Sequence, residues 1–141
     1  MKIAAILCMA GLVGVANAAP PPPAEKLADN PRIVAMYKES VRRRQAYRLG
    51  PQTLDEKCCK VAQDWAEYLA KNHYFHHGGG EQIIAAGYPT VESAFGGWMG
   101  SRGHRYWVLS RTEFCGWGCA ESSTGRWYWV GCFRTKQKGD K

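Results

Sequence analysis

Residues 114–134 read FCGWGCAESSTGRWYWVGCFR, and this stretch decides the fold. Trp117 and Cys119 alternate with Gly116, Gly118 and Ala120, and Trp127 to Phe133 returns as an aromatic-rich run. Period-two alternation on both sides of Ser122-Ser123-Thr124-Gly125 predicts a β-hairpin with those four residues as its loop. In that register Glu121 faces Arg126, Cys115 faces Cys132 and Cys119 faces Tyr128. A Cys115–Cys132 bridge is therefore expected, because cross-strand partners fall within the roughly 4.4–6.8 Å between Cα atoms that a disulfide needs. Cys119 is left to meet Cys58 or Cys59 from another layer.

Upstream of the hairpin the period changes to helical. From Thr53 to Asn72, Thr53 and Glu56 have capping-box spacing, and Leu54, Cys58, Val61, Trp65 and Leu69 form an apolar stripe. Beside it Cys59, Ala62, Ala66 and Ala70 make a small-residue face suited to close approach by another layer. Asn30-Pro31 opens an earlier helix that carries Ile33, Tyr37 and Val41 and stops at Gly50-Pro51. Glu81–Ala85 reads as a short strand. Thr90 then caps a helix with Val91, Phe95, Trp98 and Met99, in which Gly96 and Gly97 signal a close neighbour. Gly103–Leu109 adds one short helical turn. Helices before and between strands, closing on a hairpin, predict an α+β fold with helices covering an antiparallel sheet.

The chain has 141 residues, with 19 Lys and Arg against 12 Asp and Glu. Lys2, the apolar run Ile3–Val15 and Ala16-Asn17-Ala18 predict a signal peptide over 1–18. Pro20–Pro23 predicts a proline-rich spacer over 19–31, followed by one domain over 32–134 and a basic tail over 135–141. No other apolar run approaches the roughly 20 residues of a transmembrane helix, so a secreted or periplasmic protein is expected. Beyond the leader stand five cysteines, which allow at most two bridges and leave one thiol over. Arg42, Arg43, Arg44 and Arg48 crowd one helix, as a solvated face or as contacts to an anionic surface. The six tryptophans serve a core or a sugar- or lipid-binding platform, with Trp65 and Trp98 expected in the core. No G-x-S-x-G elbow, P-loop or HExxH helix is present, and nothing calls for nucleic acid.

Two short stretches carry candidate chemistry. His76-His77-Gly78-Gly79-Gly80-Glu81 packs two imidazoles and a carboxylate around a glycine turn, and Gly103-His104 opens a short helix. The positive end of that helix should hold His104 neutral, as a metal ligand requires.

VAQDWA (61–66), FHH (75–77), GEQIIAAG (80–87), WMGSRGHR (98–105) and YWV (128–130) together resemble the CAP superfamily, the SCP-domain proteins, in its short bacterial branch. The resemblance implies an α/β/α sandwich around a small antiparallel sheet, with a central cavity lined by two His and two Glu. By position the first histidine is His77, or His76 if the register slips by one; the glutamate is Glu81 and the second histidine is His104. Ser101 stands where the second Glu is expected, and Gln82 where the family has Asn. The resemblance implies a secreted, non-catalytic binding module that presents a cleft to a lipid, sterol, wall glycan or protein. Its rival is a metal-dependent hydrolase or peptidase with His77 and His104 on the metal and Glu81 as general base. A weakly held divalent metal, zinc or copper ahead of calcium, is expected at His77 and His104, with Glu81 supporting one imidazole.

Overall fold

The computed structural model describes residues 25–140; the expected leader and the Pro20–Pro23 run lie outside the described residues. Four helices, α1 (Pro31–Gln45), α2 (Glu56–Asn72), α3 (Val91–Gly100) and α4 (Arg102–Val108), surround four strands. The strands are β1 (Thr53–Leu54), β2 (Ile83–Ala86), β3 (Phe114–Glu121) and β4 (Trp127–Arg134), in sheet order β1-β3-β4-β2. β3–β4 and β4–β2 are antiparallel, but β1 runs parallel to β3, so the sheet is mixed rather than antiparallel throughout.

The hairpin is present, with its register one residue away from the expected one. Glu121 pairs with Trp127, so the loop has five residues, Ser122–Arg126, instead of four. Ser122 N–H donates to the Arg126 carbonyl (2.9 Å), Ser122 Oγ accepts from Arg126 N–H (3.2 Å), and Gly125 takes a φ of +79° that favours glycine. A one-residue slip sends every side chain to the other face. Cys132 thus stands opposite Gly116, Cys115 opposite Phe133 and Cys119 opposite Trp129. Cys115 and Cys132 belong to opposite layers, which overturns the expected Cys115–Cys132 bridge. All five described cysteines are buried free thiols.

The start of α2 differs too, because Thr53–Leu54 is taken by β1. Asp55 caps the helix instead, its side chain accepting from Cys58 N–H (3.0 Å). Glu56 is thereby released to accept from the N–H groups of Leu27 and Ala28 (2.9 Å each), docking a helical turn at Leu27–Asp29 within the stretch read as spacer. At α1 the sequence signal holds: Asn30 accepts from Arg32 N–H, with Pro31 at the first position. Thr90 and Ser93 close a reciprocal capping box on α3.

α2 covers one sheet face and α1 and α3 cover the other. Cys58, Ala62, Ala66, Leu69 and Ala70 of α2 pack on Ile84, Tyr128, Val130 and Cys132. A Cβ on Gly116 would fall 2.2 Å from the Cys58 carbonyl carbon, and one on Gly118 2.4 Å from that of Ala62. Bare glycines on the strand and small residues on the helix together let two backbones touch. Trp65, expected in the core, instead flanks this contact half-buried, while Trp98 is buried as expected. The opposite layer holds the bulk: Ile33, Met36, Phe95, Trp98, Trp117, Trp129 and Phe133.

The basic face of α1 is not a free four-arginine surface. Arg44 is buried, with Nε donating to the Gly50 carbonyl (2.8 Å) and Nη1 to the carbonyls of Val108 (2.9 Å) and Ser110 (2.8 Å). Arg42 and Arg43 both hold buried Glu39, whose carboxyl these guanidiniums keep below its ordinary range. Only Arg48 of the four is left without such a role. Arg44 thus anchors the segment after α4, and Arg42 and Arg43 neutralise Glu39.

Candidate functional site

The turn after α2 positions the first histidine. His73 ends α2 in the left-handed region (φ 51°), and Gly78 and Gly80 also take positive φ (156° and 87°). Gly79 lies flat against Trp65, where a Cβ would come within 2.5 Å of the indole. This tight path folds the loop around Glu81, whose side chain is fully buried. Glu81 Oε1 accepts from Gly78 N–H (3.2 Å) and lies 2.9 Å from His77 Nδ1, and Oε2 accepts from Gly79 N–H (2.7 Å). With Nδ1 on the carboxylate, His77 turns Nε2 outward from a half-exposed ring.

His76 does not share this role. Its ring packs with Trp65, Tyr68 and Tyr74 at centroid distances of 5.1, 6.1 and 4.2 Å, and its carbonyl accepts from the Trp65 indole N–H (3.1 Å). The register alternative therefore resolves in favour of His77 as the partner of Glu81.

His104 comes from α4 and lines a cleft of about 330 Å³ with Ser101, Phe75, Tyr88, Trp98, Ile84 and Ala86. Burial, and next the charge on nearby His77, hold its imidazole below the usual histidine range. Both effects favour the neutral imidazole. Trp98 is fixed by donating to the Ile84 carbonyl (3.1 Å), and Trp129 by donating to the Tyr88 carbonyl (2.9 Å). Tyr88 lays its hydroxyl over Gly97, where a Cβ would sit 2.3 Å away, so the close neighbour signalled by Gly96-Gly97 is a cleft wall.

The structure thus joins Glu81 to His77 and puts Ser101 with His104 in the cleft wall, which His77 and Glu81 do not line. Phe75 and Tyr88 were not anticipated; the F-x-H spacing and the Gly97 signal pointed to them. Among the described residues no cluster of three or more His, Cys, Asp or Glu could hold a metal ion. A metal would have the two imidazoles alone, with Glu81 already committed behind one of them, which suits loose binding. None of the cysteines is primed as a nucleophile in this layer: burial pushes Cys59 and Cys119 up to about 11 and Cys115 to about 12.

The order of these parts along the chain matches a known family model, "Cysteine-rich secretory protein family", over residues 41–133. The chain belongs to the CAP family. No curated protein sequence matches it, but solved structures share the CAP fold. An outer surface protein from Borrelia burgdorferi superposes with a TM-score of 0.64 at 18% identity, over 74% of this chain and 92% of that one. An extracellular protein containing an SCP domain from Bacillus anthracis gives 0.59 at 19% identity, over 84% of this chain and 45% of that longer protein. Venom allergen-like protein 4 of Schistosoma mansoni gives 0.58 at 13% identity, over 77% of this chain and 91% of that one. At these identities the likeness establishes the CAP fold alone. No helix among the described residues is long and apolar enough to cross a membrane.

The two CAP departures have structural consequences. Gln82 Oε1 accepts from Phe133 N–H (2.6 Å) while its own backbone N–H donates to the Gly131 carbonyl (3.0 Å), so it ties the glycine turn to β4. Ser101 leaves the cleft wall beside His104 without a carboxylate.

Proposed function

We propose that this protein is an exported binding module whose cleft holds an extracellular ligand without cleaving it. Phe75, Ile84, Ala86 and Trp98 offer an apolar wall to a lipid, sterol or similar body, and Ser101, His104 and the Tyr88 hydroxyl supply polar contacts at its edge. The observation that carries this reading is the state of Glu81. Both its oxygens are engaged by His77 and two backbone N–H groups and the side chain is fully buried, so the carboxylate that pairs with His77 is turned into its own loop rather than towards a ligand. His77 and His104 are the residues that would hold a divalent metal, and Lewis acidity is what it would supply.

A panel of radiolabelled fatty acids and sterols, titrated with the purified protein, tests the proposal. Phe75→Ala and His104→Ala are expected to weaken retention severalfold without altering the far-UV spectrum. Peptide or ester hydrolysis that chelator abolishes and Glu81→Gln removes would install the rival, a metal-dependent hydrolase, in its place.

A further inference from the structure

The outward face of α4 carries a second pocket. Arg102, Arg105, Tyr106 and Leu109 recur at helical spacing, and with Ser110 and Arg111 they line a cavity of about 500 Å³. His104, on the other side of the helix, is not among its walls. Among the described residues none of the three guanidiniums lies within 4.0 Å of a carboxylate. That separates them from Arg42, Arg43 and Arg134, each paired with an acid, and from Arg44, committed to backbone carbonyls. Arg105 makes one long hydrogen bond, to the Met99 carbonyl (3.3 Å). The Ser110 hydroxyl is occupied by Gln52 and Thr112, so charge is offered to this cavity by donors alone. Tyr106, 67% exposed, and Leu109 add an apolar flank.

We propose that this pocket binds a phosphate ester carried on a sugar, glycerol or similar small body. Three guanidinium forks can share the several oxygens of one phosphoryl group, where a carboxylate would fill only one fork. The ring of Tyr106 and the side chain of Leu109 take the organic part. Phospholipid head groups and soluble or polymer-borne phosphate esters share this chemistry. The site is separate from the cleft and does not depend on what the cleft binds.

The test is calorimetric titration with glycerol 1-phosphate, and sedimentation with phosphatidylglycerol vesicles, at low salt. Binding in either arm is expected to fall at least tenfold in Arg102→Gln/Arg105→Gln/Arg111→Gln and on raising salt, and to be unchanged in Arg48→Gln. Binding to both probes, or to the soluble ester alone, identifies a phosphate-ester pocket; binding to vesicles alone assigns the head group as its source. No binding in either arm, or binding that survives the triple substitution while the melting temperature is unchanged, overturns the proposal.

A different observation concerns the cysteines. Cys58 rests on Gly116, its Cβ 2.4 Å from where a Gly116 Cβ would be, and Gly116 pairs with Cys132. Cross-strand partners put their Cβ positions about 4.5–5.5 Å apart on one face, so Cys58 and Cys132 stand side by side in the α2 layer. Both side chains are buried there, and no other described cysteine belongs to that layer. We infer that Cys58 and Cys132 close into a disulfide when the chain folds in an oxidising compartment. The Cys132 thiolate attacks a sulfur of a disulfide oxidant, releasing one of its thiols; the Cys58 thiolate then attacks Cys132 in the mixed disulfide and releases the second. The two electrons and two protons lost by the pair thus leave on the oxidant. Cys59, Cys115 and Cys119, in or facing the other layer, stay reduced. Non-reducing peptide mapping of exported protein should find the 58–132 link, and reduction should lower the melting temperature by roughly 10 °C in wild type and Cys59→Ser but not in Cys132→Ser. A link between any other pair, or five free thiols after export, overturns the assignment.

Discussion

The two faces of the sheet are packed by opposite means. On the α2 face, Gly116 meets Cys58 and Cys59 and Gly118 meets Ala62 and Gln63, so that backbone approaches backbone with no space left between. On the other face, Trp98, Trp117, Trp129 and Phe95 prop shorter helices away from the strands, and the cleft opens at the edge where α3, α4, β2 and Phe75 meet. Close packing of small groups leaves no space where the backbones touch, whereas large rings leave crevices at their margins. The pocket of about 320 Å³ on the α2 side lies at the end of the contact, between Glu67, Ala70 and Lys71 and the hairpin loop.

The sharpest way to break this division is to add a side chain where the backbones touch. Gly118→Val forces a Cβ to 2.4 Å from α2 backbone, which no rotamer change relieves, and should cost more than about 3 kcal/mol. Gly96→Ala, at an exposed position inside α3, meets nothing within 4 Å and should stabilise by up to about 1 kcal/mol through helix propensity, so thermal melts of the two variants set the closed contact against open surface. Next in size is Arg44→Leu, which strips donors from the carbonyls of Gly50, Val108 and Ser110 inside the protein. A loss of about 2–4 kcal/mol by urea titration is expected; a neutral result would mean that water reaches those carbonyls.

Acid separates the faces more gently. Asp55 caps α2 and pairs with Arg134 of β4, and that guanidinium holds its carboxyl below the usual range. A depressed folded-state pKa means that the unfolded chain takes up the proton first. The stabilisation is therefore complete above the ordinary Asp value near 3.9 and is lost as pH falls through the lower folded value. Asp55→Asn keeps a capping oxygen and loses the charge, so its stability deficit at pH 7 should shrink towards pH 3 in denaturant titrations. A deficit constant with pH would assign Asp55 to capping alone.

Much of the fold was legible in local pattern. Capping signals at Asn30 and Thr90, the small-residue face of α2 and the hairpin alternation all rest on neighbours within a few residues, and each appears. What failed rests on distant partners. Thr53 was given to a helix because nothing nearby announced that β1 would pair with Phe114 and Cys115. The hairpin slipped because Ser122 bonds Arg126 across a loop one residue longer than the turn residues suggested. At the site, the resemblance supplied His77, Glu81 and His104, but not that Glu81 would be consumed by its own loop. That fact depends on the positive-φ glycines that bring Gly78 N–H and Gly79 N–H to it.

The smallest expected effect concerns the first helix, where sequence treated four arginines as equivalent. Arg42 is 63% exposed and shares Glu39 with Arg43, which is only 25% exposed. Removing Arg42 leaves Glu39 paired, so Arg42→Gln should alter stability by less than about 0.5 kcal/mol, as exposed ion pairs generally do. Arg43→Gln should cost more, because Arg43 also donates to the Glu92 carbonyl and so links α1 to α3. Urea titration of both singles and the double at low and high salt decides the matter. If Glu39 needs either guanidinium, the double should exceed the sum of the singles, since only then is a buried carboxylate left alone. Additive costs that salt erases would instead make both arginines ordinary surface charges, and Glu39 a group that water reaches.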